Sequence, residues 1–534
     1  MDCTATRIPY RQTNYFSKLV LDYIDQLPEV QPFYAHPVSL SGIQDAMNKR
    51  KQFPTNRKIL VQELQKQYAA VEQNKLVQQN IDALLDENTF TIVTAHQNNI
   101  FTGPLYFIYK IVHCIKLADF FKKTLPAFHF VPVFYIGSED ADLEELNHIL
   151  VGEKNIVWKT TQTGAVGRMK IDQAFLEVIT EIEKQLLVQP FGEEIMTMVK
   201  DAYREGLTIE EATFRFVHAL FAEFGLVVLK PDNAVLKKEI IEICEDDLLN
   251  QTASAIVQKT IDTLQKSSYK VQAQPREINL FYLKDNFRER IIFNDENFHV
   301  LNTDWHFTKE DMLEEIKNHP ERFSPNVIIR GIYQERILPN IAFIGGGGEL
   351  AYWLQLKSLF ENYQIPFPVL VVRNSFLMIE KSIKMMLAKL EIPSTDVFIG
   401  ENLLMKQIVE KDANTTTNLT AEIERVQEIY KDIQAKAIKT DATLAQHVAA
   451  LKTKAIDRII QLEKKMLRAE KRKFATEQQQ VKKIKNKLFP ADSLQERKEN
   501  ILYYYAKFGK SFLQILYQNS LSLEQEFVIL AEKE

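Results

Sequence analysis

The chain has 534 residues, 46% of them hydrophobic and 26% charged, with a formal net charge of −5. This is the composition of a globular protein, too long for one simple core; it excludes disorder as the main state and a whole-chain electrostatic nucleic-acid binder. Three scattered cysteines, Cys3, Cys114 and Cys244, exclude a secreted disulfide framework and a Cys-rich zinc module; they are expected to be reduced and packed.

Residues 1–90 read as mostly helical, with turns near Pro28, Pro32, Pro37 and Pro54. The start of the chain has no apolar signal core, and no run approaches the ~18–20 apolar residues of a membrane span, so a cytoplasmic protein without membrane contact is expected. At Thr89 the pattern changes. TFTIVTA is a β-rich run, HQNNIFTG a loop, and Pro104 opens the helix LYFIYKIVHCIKLADFF. That helix is apolar almost all round, broken by Lys110, His113 and Lys116, so it belongs against a sheet.

The strand–loop–helix unit recurs. HFVPVFYIG predicts a strand before the acidic turn SEDADLEELNH, and FGLVVLKPD another before a helix. PNVIIRG reads as a strand, IAFIGGGG as a strand leading into the helix ELAYWLQLKSLFENY, and PFPVLVVRNS as a last strand. Apolar strands alternating with helices predict an α/β fold with a parallel sheet covered on both faces, and chemistry at the carboxyl ends of its strands. Residues 1–380 are assigned to this core. Two stretches, about 150–223 and 250–324, are too long for crossovers and are read as insertions, the second containing β-hairpin material. Residues 381–490 change character: Gly and Pro nearly vanish between Gly400 and Pro490, and Leu444, Val448, Leu451, Ala455, Ile459, Leu462 and Met466 recur at spacings of three and four; an earlier stretch has Val426, Ile429 and Ile433. This is a helical coiled coil, either two antiparallel arms or one long dimerising arm. Residues 491–534 turn aromatic again and are expected to pack back on the core.

Three strand-end loops could carry chemistry. In the first, His96, Gln97, Asn98, Thr102 and Gly103 precede a helix and suit an anion such as phosphate, with His96 able to move a proton. In the second, Glu139, Asp140 and Asp142 are close enough to repel, which raises at least one pKa, and suit a cation or an ammonium; a capped helix start is the plain alternative. The third, Gly345, Gly346, Gly347 and Gly348, holds four of the chain's 16 glycines and lets a ligand approach the backbone, with Glu349 placed to orient an amine. Arg330 and Arg373, each read as following a strand, suit a carboxylate or phosphate, with a rim salt bridge as an equal alternative. No metal-binding or nucleophile-elbow motif is present. From Leu451 to Lys487 there are 13 Lys or Arg against 4 Asp or Glu, a net of +9 that leaves −14 for the rest. Solvated coil faces account for this, with a nucleotide or RNA contact as a minor reading.

TAHQNNIFTGPLYFIYKIVHCIKLA, VPVFYIGSEDADLEELNH, SPNVIIRGIYQERILPNIAFIGGGGELAYW and LFPADSLQERKEN resemble, in order and spacing, the cysteine-adding enzymes of bacillithiol biosynthesis, over nearly the whole chain. The resemblance implies the last step of that synthesis, in which the carboxyl group of L-cysteine is joined to the amine of glucosaminyl-malate. It implies a Rossmann-like nucleotidyltransferase-type core with connecting-peptide insertions, a coiled coil that makes a homodimer, and binding of an adenine nucleotide, ATP or ADP. His96, Glu139, Asp140 and Asp142 are then the catalytic candidates. Gln97, Asn98, Thr102, Gly103 and Gly345–Gly348 would serve the nucleotide, and Arg330, Glu349 and Arg373 the substrates. Two positions depart from the family pattern, the segment Thr94-Ala95-His96-Gln97 and Ala141, so positioning and electrostatics are expected to matter more than one proton shuttle. The alternative is a nucleotide-binding coiled-coil dimer acting as a non-catalytic partner.

Overall fold

The computed structural model describes every residue except Met1, Glu153, 413–417, Arg472, Lys473 and Glu534. Arg472 and Lys473, part of the basic stretch, therefore lie outside the described residues. The chain divides into two compact units, Met1–Leu377 with Leu494–Leu530, and Met378–Ser493 with Ala531–Glu534.

The first unit is built on a five-stranded parallel sheet of β1 (Thr89–Gln97), β2 (His129–Gly137), β3 (Val227–Leu229), β4 (Asn340–Gly345) and β5 (Val369–Val372), in spatial order β5-β4-β1-β2-β3. Order reverses between β1 and β4, so a crevice opens there beyond the carboxyl ends, as in Rossmann-like folds. The strand ends are level: Gln97 pairs with Gly137, Thr94 with Ile344 and Gly345 with Val372. Strand residues such as Phe90, Ile92, Val131, Ile344 and Val371 are fully buried, as continuous apolar strands require. The helix α1 (Tyr106–Thr124) packs on them and buries even Lys110 and His113.

Both long interruptions are structured. After β2, an antiparallel pair (His148–Val151 with Lys154–Val157) leads to the helices Gln173–Leu186, Gly192–Ala202 and Ile209–Phe221. After β3, a five-stranded antiparallel sheet includes the hairpin Leu280–Lys284 with Phe287–Asn294. A third sheet sets Glu526–Glu532 between Cys3–Pro9 and Ser375–Ile379.

One expected strand is a helix. PNVIIRG holds only the end of a short strand, Phe323–Pro325, and then starts the helix α2 (Val327–Ile337). The Asn326 side chain caps it, accepting from the Ile328 N–H at 2.8 Å, and Ile328, Ile332 and Tyr333 are buried at helical spacing. A short apolar run does not distinguish the two states by itself. Arg330 thus stands in a helix's first turn, not behind a strand.

In the second unit, the helices Thr420–Thr440 and Leu444–Lys471 are joined by a short turn and run antiparallel. Gln434 bonds the Ala445 carbonyl at 3.2 Å, and the Leu419 N–H meets Glu463 at 3.4 Å. Of the two coil arrangements the sequence allows, this is the hairpin of two arms. Among the described residues no helix is long and apolar enough to cross a membrane.

Candidate active site

A cavity of about 540 Å³ sits beyond the carboxyl ends of β1, β2 and β4, at the point where strand order reverses. Its size is ordinary for a small-molecule site. His96 and Gln97 reach it from β1, Asp140 and Glu145 from the turn after β2, Arg330 from α2, and Gly346–Glu349 from the loop after β4. The second insertion adds Gln272, Phe281 and Arg288. Eight sequence candidates therefore meet here: His96, Gln97, Asp140, Gly346, Gly347, Gly348, Arg330 and Glu349. Arg373 makes a ninth.

The charges on this wall are largely paired. Arg330 grips Asp140 through both guanidinium nitrogens, one at 2.9 Å. Burial pushes the Asp140 carboxyl up, but Arg330 more than reverses this and holds it below the usual carboxylate range. Lys110 is buried under the cavity floor, ion-paired with Glu349 and bonded to the Ala95 carbonyl at 2.9 Å. Arg373 makes a bidentate pair with the fully buried Glu496, at 2.7 and 2.9 Å, and also bonds Ser375 and the Asn374 carbonyl.

His96 is held neutral. Burial lowers its pKa well below the ordinary value, and the charges of Lys110 and Arg373 lower it further. Lys110 Nζ lies 3.4 Å from His96 Nδ1. A lysine ammonium only donates, so Nδ1 accepts and the ring proton resides on Nε2. That Nε2 is buried without a hydrogen-bond partner in a ring fixed edge-on against Tyr106 and Phe107. A neutral N–H held in this way can donate to an oxygen that gains negative charge. Glu145, at the exposed rim, has its carboxyl pushed up by burial and by the charges of Asp142 and Asp140, which suits a proton acceptor working nearer neutrality.

The other candidates are placed elsewhere. Glu139 turns into a buried ionic cluster, paired with Lys237, which also holds Asp232 at 3.0 Å; Arg168 holds Asp232 at 2.7 Å. Asp142 is exposed and caps the short helix Leu143–Leu146, accepting from the Glu145 N–H at 3.2 Å. Asn98, Thr102 and Gly103 lie outside the cavity lining, in a buried turn. Phe101, Thr102 and Gly103 have φ of 48°, 70° and 64°, and a Cβ on Gly103 would fall 2.6 Å from that of Asn99. Asn500 pins this turn by donating to the carbonyls of Phe101 and Gly103. Gly345 packs against Phe343 instead of lining the cavity, where an added Cβ would meet the ring at 2.9 Å. The Gly346 N–H, expected to face a ligand, donates to Glu349 at 2.8 Å.

Lys110, Glu145, Arg288, Tyr352 and Arg497 are cavity residues that sequence reasoning did not nominate. Lys110 gave the best signal, as a lysine inside an otherwise apolar helix. Among the described residues no group of three or more His, Cys, Asp or Glu could hold a metal ion. The Cys114 thiol is driven up by burial and donates to the Ile92 carbonyl, so it is no nucleophile.

Comparison with known proteins agrees with this architecture. The model for the bacillithiol biosynthesis BshC N-terminal Rossmann-like domain matches residues 1–374, and that for the BshC C-terminal coiled-coil domain matches residues 376–532. A protein of Flavobacterium johnsoniae named "Putative cysteine ligase BshC" is 38% identical, over 98% of this chain and 99% of its own length. One of the same name from Cytophaga hutchinsonii is 38% identical over 97% of both chains. Two matched domains spanning nearly the full length, and relatives of equal extent, establish that the chain belongs to the bacillithiol biosynthesis BshC family.

Proposed function

We propose that this protein is a ligase that joins the carboxyl group of L-cysteine to the amine of glucosaminyl-malate, the last step of bacillithiol synthesis. The observation that carries the reading is full-length similarity to proteins named cysteine ligases. The cavity supports it chemically. It offers a carboxylate at Glu145 for an ammonium or an attacking amine, guanidinium groups for a carboxylate, and a neutral imidazole N–H at His96.

Amide formation from a free carboxylate in water is uphill, so activation by an adenine nucleotide, ATP or ADP, belongs to the same proposal; when bound, it supplies a better leaving group on the cysteine carboxyl. The residues fit an anion of this kind, since five cationic side chains line the cavity against three carboxylates. Gly346–Gly348 would let it approach the backbone, and Gln97 would add an amide donor. His96 Nε2–H would stabilise charge on the oxygen of the reacting carboxyl. Glu145 would take the proton lost by the attacking nitrogen. Asp140 would act through Arg330, which it aims across the cavity.

The test is incubation of the protein with glucosaminyl-malate, cysteine and ATP, with mass spectrometry for bacillithiol and for AMP or ADP. Bacillithiol that depends on protein and on nucleotide is the expected result. No product with or without nucleotide overturns the ligase assignment. We also propose that the coiled coil makes a homodimer, because Ile429, Ile433, Leu451 and Leu462 are exposed on its two arms.

A further inference from the structure

Of the cations around the cavity, most are already spoken for. Arg330 is committed to Asp140, Arg373 to Glu496, and Lys110 to Glu349 and the Ala95 carbonyl. Arg497 is exposed, where water screens its charge. Arg288 differs from all of them. It stands on the hairpin strand Phe287–Asn294 of the second insertion, across from Leu283 in register. This puts it on the same sheet face as Phe281, and its guanidinium stacks over that ring at 3.7 Å. Its Nε donates to the Ser324 hydroxyl at 2.9 Å. Ring and hydroxyl thus fix the plane of the fork, while among the described residues no carboxylate pairs with its two terminal nitrogens. Burial is the largest influence on its pKa and lowers it to about 10; Asp140 raises it and Arg330 lowers it only through space.

We propose that Arg288 is a substrate-binding residue whose terminal nitrogens take a carboxylate of the amine-bearing substrate in a bidentate grip. A planar, immobilised guanidinium without a protein acid is complementary to a carboxylate and loses little freedom on binding one. This assigns to Arg288 the role expected of Arg330 or Arg373, and it rests on the ligase reading for the identity of that substrate, glucosaminyl-malate. The second insertion thereby gains a purpose, because its hairpin brings selectivity for an acid to a cavity whose floor is built by the parallel sheet.

The experiment is calorimetric titration of the wild-type protein, Arg288→Gln and Arg288→Lys with glucosaminyl-malate, with its dimethyl ester, and with ATP, alongside the ligation assay. Loss of a charge-assisted pair is expected to cost about ten- to a hundred-fold in affinity. The wild type should prefer the acid to the ester by that factor. Arg288→Gln should erase the preference, Arg288→Lys should keep part of it, and ATP affinity should change by much less than that factor in both variants. Ser324→Ala, which leaves the charge but frees the fork, should weaken the preference less. If Arg288→Gln keeps the preference for the acid, or loses affinity only for ATP, the assignment is overturned, and bacillithiol formed by the wild type would leave the ligase reading intact. An Arg288-dependent preference without any bacillithiol would sink the ligase reading and keep the assignment. A wild type that binds acid and ester equally, or neither, removes the grip altogether.

Discussion

Lys110 approaches Nδ1 of His96 at 3.4 Å from beneath the cavity, while the same ammonium is held by Glu349 and by the Ala95 carbonyl at 2.9 Å. One buried charge therefore ties the end of β1 to the loop after β4 and decides which nitrogen of His96 carries its proton. Lys110→Met should remove both effects. Burial depresses the His96 pKa most, with Lys110 next, so loss of the ammonium should move that pKa upward, toward the ordinary histidine value. NMR titration of the histidine ring protons reads this directly. Glu349 would keep the Gly346 N–H but lose its ammonium partner, so stability should also fall, by about 1–3 kcal/mol. A His96 titration indistinguishable from the wild type would show that Lys110 does not set the imidazole's state.

The acidic turn separates into three jobs, and two of them can be told apart by mutation. Asp140→Asn leaves Arg330 without its bidentate carboxylate inside the cavity, so ligation should fall by about a hundred-fold through misplacement of the guanidinium. Asp142→Ala removes a helix cap on the exposed side and one of the charges that raise the Glu145 carboxyl, so stability should drop by about 1 kcal/mol and activity should fall far less than in Asp140→Asn. Steady-state rates and chemical denaturation on the two variants check this. Equal losses of activity would mean that the turn acts as one unit.

Much of this site can be read from residue order, and the limits have physical causes. Alternating apolar strands and helices mark the parallel sheet, and the ends of parallel strands are where ligands sit, so His96, Gln97, Asp140 and the glycine run are reachable by pattern alone. Direction within a loop is not. Glu139 and Asp140 are adjacent, yet one enters an ionic cluster with Lys237 and the other faces the cavity, because the partner lysine comes from 98 residues away in sequence. For Arg373 the sequence leaves ligand binding and a salt bridge equally open, because Glu496, its partner, lies 123 residues later. Arg288 lies inside hairpin material, in the consecutive charged run Arg288-Glu289-Arg290, where nothing local marks one arginine from the other. PNVIIRG reads as a strand because its short apolar run lacks the length that separates helix from strand, and the cap at Asn326 carries the signal that decides.

His113 gives the protein a measurable sensitivity to acid. The Asn374 N–H donates to its Nδ1 at 3.1 Å, so Nε2–H donates to the Ser522 carbonyl at 2.9 Å, and the ring is neutral. Burial lowers its pKa to about 4. A histidine held below its unfolded value of about 6.5 binds fewer protons folded than unfolded, so its share of stability is present above that value and is lost as pH falls toward the folded pKa. At pH 5.5 the loss should be about 1 kcal/mol. Asp247, pushed up to about 7 chiefly by burial, works in the opposite direction, so the readout is a difference between proteins. His113→Asn keeps a donor and an acceptor without the titration. Its melting temperature should fall less than that of the wild type between pH 7.5 and 5.5, and an equal fall would remove His113 as the source.

Arg373 and Glu496 join the end of β5 to the returning segment Leu494–Leu530, and both side chains are buried. Replacing either one alone strands a charge in the interior, so Arg373→Met and Glu496→Gln should each lose about 3–5 kcal/mol in denaturant unfolding. The double replacement should lose less than the sum, since it leaves no unpaired ion. Strict additivity would mean that the two groups contribute independently. Because Arg373 is spent on this pair, residual activity in the folded variants should show a reduced kcat with little change in the KM for glucosaminyl-malate.

The hairpin of the second unit leaves Ile429 and Ile433 on one arm and Leu451 and Leu462 on the other exposed, each by 41% or more. Two antiparallel helices bury only the seam between them, and a further apolar stripe on the outside of such a pair is the pattern that a third or fourth helix covers. A second copy supplies two such helices at once, and in a two-fold arrangement each side chain is counted twice. These side chains are about half exposed, so burying the remainder is worth roughly half of the 1.5–3 kcal/mol for full burial of each, and four positions per protomer together match the scale of the cost of association. Ile433→Lys with Leu451→Lys places charges in that interface four times over. Sedimentation should show the wild type at twice the 62.0 kDa chain mass and the double variant at that mass, with an unchanged helical signal. If the variant sediments like the wild type, the stripe is not the dimer seam. If the wild type is already a monomer at micromolar concentration, the coil's exposed face does not bind a second copy.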